Sequence, residues 1–260
     1  MKYDSNLPPL SIVVPCFNEA RNVESAINEI QECLDRTGLE GEIIVVNDGS
    51  TDNTLAVIKK IETVDRRVLV LNKETNEGMG KGFWDGVKVA RNPFVVLVPG
   101  DGENDVSEIL SFYFLVQHVD IVVPYIHNAD VRHIGRRVVS SLYRLIINLS
   151  FGTSLNYTNG TVIYNRDALS TVKLNSSGFF YQTELLVKLI RKGFLYAEVP
   201  HSLSGRKGGR STALTFRSLC SLVRSFFVLF FRIHIRRVEG ASRQFDKLPI
   251  GTVTHRKLNS

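Results

Sequence analysis

Residues 94–108 read FVVLVPGDGENDVSE. Phe94–Val98 is an unbroken run of strand-forming apolar residues with no in–out alternation, the pattern of a strand buried on both faces. Pro99 and Gly100 stop the strand, and four carboxylates, Asp101, Glu103, Asp105 and Glu108, then arrive within eight positions. Asp105 and Glu108 have an ordinary reading as the start of a helix, capping free N–H groups at its positive end. Asp101 and Glu103 precede any such helix and would repel each other in a tight turn. Alternating carboxylates on a short loop suit a hard divalent cation with oxygen ligands. An EF-hand is excluded, because its sixth position would be Val106 instead of Gly and its twelfth Phe112 instead of Glu. The expected site is a cation open on one side and shared with a phosphate.

Further strands of the same kind flank this one: Leu10–Val14, Glu42–Val46, Val68–Leu71 and Asp120–Val123. Between them the spacing predicts helices over Glu19–Thr37, Asn53–Thr63, Gly80–Ala90 and Asp105–Phe114. In the first, Val23, Ile27, Ile30 and Leu34 fall on one face. Alternating elements with continuously apolar strands imply a mainly parallel α/β sheet covered by helices on both faces. Ligands in such sheets bind beyond the carboxyl ends of the strands. The polar segments stand there: PCFNEA (15–20), NDGSTDNT (47–54), NKETNEGMGKG (72–82) and PGDGEND (99–105).

The chain has 260 residues, 43% hydrophobic and 22% charged, enough for one large α/β domain with an appendage. Cys16, Cys33 and Cys220 are scattered and odd in number, which argues against a disulfide framework or a zinc site and for a reducing compartment. MKYDSNLPPL at the N-terminus carries no apolar signal-peptide core, so export is not expected. The net charge of +6 is local: residues 204–237 hold eight Arg or Lys and no Asp or Glu. A general nucleic-acid binder would not look like this, whereas an anion-binding or membrane-facing surface would.

Asp48 ends an apolar strand and enters Gly-Ser-Thr. It suits a base N–H or a ribose hydroxyl, or else an ordinary turn that caps the next helix. Asn18 and Glu19 stand beside it if the first two strands are neighbours, and the two loops then form a polar pocket for a nucleoside. GMGKG is neither a P-loop, since Lys81 is followed by Gly82, nor a dinucleotide fingerprint, since it follows the third strand. It delivers Lys81 toward phosphates or leaves it solvated.

Taken in order, PCFNEA, VVNDGSTDNT, NEGMGKG and PGDGEND resemble the family 2 glycosyltransferases of the GT-A (Rossmann-like) fold, and among them the polyprenyl-phosphate sugar transferases of the dolichol-phosphate mannose synthase type. The resemblance covers roughly residues 10–212 and implies roles by position. Pro15, Asn18, Glu19 and Asp48 would hold base and ribose. Asp101 and Glu103 would stand in the DxD metal motif, with Asp105 as third ligand to Mg²⁺ or Mn²⁺; the motif reads DGE here where DAD is more usual. SGRKGGRST matches R-x-x-G-x-S through Arg206, Gly209 and Ser211, a phosphate grip, with Thr212 in place of the next Lys. Glu184 aligns with an acidic residue beneath the acceptor site, either a general base or a helix glutamate at the edge of the core. Arg132, Arg136, Arg137 and Arg144 lie on a helix where the family binds lipid phosphate; a solvated basic face is the other reading. NYTNGT (156–161) keeps only Gly160 of D-x-x-S-G-[FY].

The implied organisation is a GT-A domain over residues 1–212, an amphipathic helix over 213–237 and a polar, poorly ordered tail over 238–260. In the helix the longest apolar run, Phe226–Phe231, is far short of the ~20 residues that span a bilayer. Flanking arginines suit a helix lying among headgroups, or one packed on the protein's own core or in a dimer. The resemblance implies an inverting, metal-dependent enzyme at the cytoplasmic membrane face. It would move a sugar from a UDP- or GDP-linked donor to a polyprenyl phosphate. The alternatives are a glycan or glycolipid hydroxyl as acceptor, nucleotidyl transfer, and a non-catalytic relative; a homo-oligomer stays open.

Overall fold

The computed structural model describes residue 3 and residues 6–102, 104–127, 134–176, 178, 180–202 and 216–234, without the side chains of Arg136 and residues 216–219. The first half alternates as its pattern predicts: β1 (Leu10–Cys16), α1 (Val23–Thr37), β2 (Gly41–Asp48), α2 (Thr54–Val64), β3 (Val68–Lys73), α3 (Met79–Val89) and β4 (Phe94–Leu97). There follow α4 (Val106–Leu110), a 3-10 turn (Tyr113–Gln117), β5 (Ile121–Ile126), α5 (Ile134–Phe151), β6 (Ile163–Asn165), α6 (Arg166–Ser170), α7 (Tyr181–Arg191), β7 (Tyr196–His201) and α8 (Phe216–His234).

One seven-stranded sheet runs in the order β3-β2-β1-β4-β6-β5-β7. All pairings are parallel except those of β6, which runs against β4 and β5. Side chains of β1 alternate between two cores: Leu10, Ile12 and Val14 pack with α1, while Val13 packs with Phe83 of α3 and Leu185 of α7. Both faces of β1 are therefore dry, which is why its sequence shows no alternation.

Several element limits differ from the sequence reading, and one strand was not expected. α1 begins at Val23 instead of Glu19, because the Glu19 and Ala20 N–H groups donate to Thr54 Oγ1 (2.9 Å) and Asp52 Oδ2 (3.2 Å) across the next loop. The helix expected over Asp105–Phe114 stops at Leu110. Beyond it the chain turns to bury Tyr113, whose hydroxyl donates to Pro8 O (2.9 Å) and whose ring meets Phe94 edge-on. β6 is a short strand inside the NYTNGTVIYNRDAL stretch, where no strand was expected. The C-terminal helix is present as α8, packed through Leu229 onto Ile147 and Phe151 of α5.

Candidate active site

The strand order reverses at β1, with β2 on one side and β4 on the other, so the crevice lies between the loops after β1 and β4. Gly100 N–H donates to Pro15 O (3.1 Å) and Val98 N–H to Val13 O (2.9 Å). Asp101 thus begins its loop directly beside the loop that carries Asn18 and Glu19.

The loops after β1 and β2 are interlocked. Asn18 has a left-handed backbone (φ 57°), and its Oδ1 accepts from Thr51 N–H (2.8 Å) while its own N–H donates to Ser50 Oγ (3.0 Å). Pro15 is buried within β1, and Glu19 is half-buried. The β1–β2 neighbourhood assumed for the nucleoside pocket is present, with Cys16 opposite Asn47.

Asp48 is buried at the end of β2 and opposite Lys73 in the β2–β3 register. Its Oδ1 accepts from Lys73 Nζ (2.8 Å) and Glu77 N–H (3.1 Å), and its Oδ2 from Gly78 N–H (2.8 Å). The carboxylate therefore holds the loop that leads into α3. Gly49 (φ +72°) lets that loop lie on β2: a Cβ there would stand 2.6 Å from the Thr75 carbonyl carbon. Lys73 also reaches Glu77 Oε2 (2.7 Å) and Asp85 Oδ2 (3.7 Å). Burial works to lower the pKa of its ammonium, but hydrogen bonds to Asp48 and Glu77 outweigh this and hold it above the ordinary lysine value. Lys81 pairs with Asp85 (2.6 Å), so contact with a phosphate requires it to leave that partner. Cys16 lies in the same crevice, but burial and the nearby Glu19, Asp52 and Asp48 carboxylates push its thiol to about 12, which removes it as a nucleophile.

At the β4 end, Asp101 is half-buried, Gly102 (φ 69°) turns the chain, and exposed Asp105 caps α4 through Oδ1, which accepts from Glu108 N–H (3.0 Å). Glu108 turns away from the crevice: its Oε1 accepts from Ser202 N–H (2.5 Å) at the end of β7. Among the described residues no three His, Cys, Asp or Glu side chains converge on a metal position, and Glu103 lies outside those residues. The donor chemistry of Asp101 and Asp105, hard carboxylate oxygens at the crevice, fits a divalent cation whose remaining ligands come from a phosphate.

Across the sheet, α5 and the 156–159 loop enclose a cavity of about 270 Å³ lined by Arg137, Ser140, Ser141, Arg144, Asn156 and Asn159, among others. Arg137 and Arg144 are two helical turns apart and so share a face. Arg144 Nη1 donates to Asn156 O (3.4 Å), which ties helix to loop. Below, Tyr143 OH lies 2.8 Å from Thr183 Oγ1 of α7. Gly160 is where the loop meets β5, since a Cβ there would stand 2.6 Å from Pro124 Cγ.

Glu184 is fully engaged beneath this region. It accepts from Asn175 N–H (3.1 Å), Asn175 Nδ2 (2.6 Å), Ser176 N–H (2.9 Å) and Lys188 Nζ. Burial raises its pKa, but the Lys188 charge and these hydrogen bonds prevail and hold it below the usual carboxylate value. A carboxylate so stabilised is a weak base.

Glu103, Arg132, Arg206, Gly209 and Ser211 lie outside the described residues, and Arg136 is placed only as part of α5. Sequence reasoning did not single out Lys73, Glu77 or Asp85, nor Ser140, Ser141, Asn156 and Asn159. Lys73 carried a usable signal, a cation ending the strand next to the one that ends in Asp48. Ser140 and Ser141 carried none, because they meet the 156–159 loop only through the packing of α5, and Asn156 and Asn159 fall in NYTNGT at positions where D-x-x-S-G-[FY] is not kept.

Residues 11–173 match the family described as Glycosyl transferase family 2, over more than half of the chain. The chain belongs to that family. It is a family 2 glycosyltransferase of GT-A fold. It is 29% identical over 216 residues to the glycosyltransferase GlyG of Streptococcus pneumoniae, covering 82% of this chain and 66% of GlyG. It is 25% identical over 213 residues to the polyprenol monophosphomannose synthase of Mycolicibacterium smegmatis (77% and 79% covered). Over 103 residues it is 31% identical to the dolichyl-phosphate beta-glucosyltransferase ALG5C of Trichomonas vaginalis (38% and 31% covered). The chain thus spans about two thirds of GlyG and about a third of ALG5C. The fold is similar to that of glucosyl-3-phosphoglycerate synthase from Mycobacterium tuberculosis, solved with Mn²⁺, UDP and glucosyl-3-phosphoglycerate (TM-score 0.63, 18% identity, 86% and 79% covered). It is also similar to that of mannosyl-3-phosphoglycerate synthase from Rubrobacter xylanophilus (TM-score 0.66, 18% identity, 93% and 78% covered).

Proposed function

We propose that this glycosyltransferase moves a sugar, with inversion, from a UDP- or GDP-linked donor to a polyprenyl phosphate at a membrane surface. The observation that carries the reading is the cavity where Arg137 and Arg144 stand with Ser140, Ser141 and the Asn156 and Asn159 loop. Paired guanidiniums backed by hydroxyl and amide groups suit a phosphate monoester. The similarity to a polyprenol monophosphomannose synthase agrees with it.

The donor's nucleoside would lie between the β1 and β2 loops, with Asn18, Glu19 and Asp48 as its polar wall. Asp101, Glu103 and Asp105 would hold Mg²⁺ or Mn²⁺, which when bound supplies charge neutralisation for the departing diphosphate. The acceptor phosphate oxygen forms the new bond to the anomeric carbon, and the donor's C–O bond breaks with its electron pair leaving on the nucleoside diphosphate. An anionic phosphate needs no proton removed, so the reading calls for no general base. The buried, ion-paired state of Glu184 is in keeping with that.

A membrane location is supported by the surface beside the cavity. Ile134, Val138, Leu142, Leu145 and Leu149 form an exposed stripe along α5, and Phe227 and Phe231 are half-exposed on α8. Neither helix contains Asp or Glu, and no helix among the described residues is long and apolar enough to cross a bilayer. Such faces suit the headgroup boundary of an anionic leaflet.

The experiment is transfer of labelled sugar by the purified protein from a panel of UDP- and GDP-sugars to a polyprenyl phosphate, with Mn²⁺ or Mg²⁺ and an EDTA control. EDTA-sensitive label in the organic phase is expected. Donor hydrolysis without lipid labelling would move the acceptor to a hydroxyl, and no turnover of any donor would overturn the reading.

A further inference from the structure

We propose that Lys73 is a positioning residue for donor binding, acting through Asp48 and the 74–78 loop. The proposal rests on the reading that the β1 and β2 loops take a nucleoside, and it adds a residue to which the strand-end motifs assign no role. Lys73 ends β3 opposite Asp48 and places its Nζ 2.8 Å from Asp48 Oδ1, 2.7 Å from Glu77 Oε2 and 3.7 Å from Asp85 Oδ2. Its side chain is only 14% exposed and that of Asp48 5%, so this pair is screened little by solvent.

The three carboxylates do not depend on Lys73 equally. Asp85 keeps Lys81 at 2.6 Å and Lys88 at 2.9 Å, and Glu77 has Lys81 at 3.8 Å. Asp48 is 5% exposed and takes its ion pair from Lys73, its other donors being the N–H groups of Glu77 and Gly78. Those N–H groups belong to the loop whose backbone rests on Gly49. Without the ammonium, the buried Asp48 carboxylate loses its ion pair while Glu77, 45% exposed, still stands beside it, and a buried charge left without its partner drives rearrangement. The loop can relieve the repulsion by lifting from Gly49, which releases Asp48 from the two N–H groups that aim it. The nucleoside wall is then lost. The β4 loop is reached through β1 instead of β3, so Asp101 keeps its place. Donor affinity should therefore fall while turnover at saturation persists.

The test compares wild type, Lys73→Met and Lys73→Met/Glu77→Gln by calorimetry with UDP and GDP and by donor KM and kcat in the transfer assay. Thermal unfolding is followed in parallel. Lys73→Met is expected to raise the nucleotide Kd and donor KM about tenfold or more with kcat changed by less than about threefold, the size of one lost charged contact. Glu77→Gln in the same chain should recover part of the lost affinity, because it removes the opposing charge. Nucleotide binding by Lys73→Met equal to wild type overturns the proposal. So does a parallel loss of kcat, affinity and thermal stability that Glu77→Gln does not reverse, since that marks a merely structural lysine. A wild type that binds neither nucleotide overturns the donor reading itself, and the positioning role with it.

Discussion

In the half built from β1 to β4, each polar loop follows a parallel strand and is held by the loop beside it: Asn18 by Ser50 and Thr51, Asp48 by Lys73 and the 77–78 amides, Gly100 by Pro15. In the half built from β5 to α8, the polar groups lie along a helix. There α5 turns Arg137, Ser140 and Arg144 toward a cavity and leaves Ile134, Leu142 and Leu149 exposed. A strand end delivers a few consecutive residues to one point, so the chemistry is written in short motifs. A helix face is assembled from residues three, four and seven apart, so its chemistry is spread through an apolar pattern. The first half is a grip of interlocked loops and the second a helix face beside an exposed apolar stripe, a division that suits the proposed meeting of a water-soluble donor with an acceptor drawn from a boundary.

The largest expected effect breaks the first half alone. Asp101→Asn should lower kcat by on the order of 10³, about 4 kcal/mol, the scale of lost electrostatic stabilisation of a leaving group. Thermal unfolding should change little, because Asn keeps the size of the half-buried side chain at the start of the loop. EDTA should abolish wild-type transfer to the same extent. Transfer by Asp101→Asn at near wild-type rate with Mn²⁺ present would remove the metal assignment from this loop.

Next comes a change to the frame that both halves share. Glu184→Gln leaves Lys188 without its charge partner in a site where the carboxylate is 2% exposed, and should cost about 3 kcal/mol of stability. The pH dependence has a definite sign. The folded-state pKa of Glu184 lies below its ordinary 4.5, so its stabilisation is present above that value and is lost as pH falls through the folded-state pKa. Wild type should therefore lose stability below about pH 4.5 more steeply than Glu184→Gln, as read from denaturant midpoints. A general base at this position would give a different result, loss of kcat at neutral pH with little change in midpoint.

The third prediction separates the halves. Arg137→Ala or Arg144→Ala should raise the acceptor KM about 10- to 100-fold, the range of one charge-assisted contact, and leave the donor KM unchanged. A rise in donor KM instead would place the cavity on the donor side.

What the sequence made legible follows the same division. The parallel sheet was readable because β1, β2 and β4 are apolar on both faces, and their ends announced Asn18, Asp48 and Asp101 as neighbours once parallel pairing was assumed. The start of α1 was misplaced because Glu19 and Ala20 give their N–H groups to side chains thirty or more residues away, which no local pattern records. Asp48 was read as suiting a base N–H or a ribose hydroxyl, or else a helix-capping turn, and its partners Lys73, Glu77 and Gly78 become visible only with the β2–β3 register. The second half was harder for a physical reason. β6 has three residues and an antiparallel neighbour on each side, too short for a periodic signal. α5 was legible as basic and apolar, but which arginines share a cavity depends on where Ile147 and Phe151 meet Leu229 of α8 and Val187 of α7.

The smallest effect bears on what covers the α5 stripe. A second copy of this chain would bring together two stripes on helices that contain arginines and no acidic residue, so like charges would flank the contact without opposite partners from these helices. An anionic leaflet offers the opposite charge and takes up the aliphatic side chains at once. Leu149 is 77% exposed, so Leu149→Ser removes apolar area from the stripe without opening a cavity in the core. Partial insertion of one leucine is worth a fraction of its full transfer, about 0.7 kcal/mol, so binding to anionic vesicles should weaken about threefold. Neutral vesicles should bind both forms weakly, and sedimentation should find the same mass for each. A mass that falls on substitution, with vesicle binding unchanged, would assign the stripe to a dimer and make the α5 face an interface between copies.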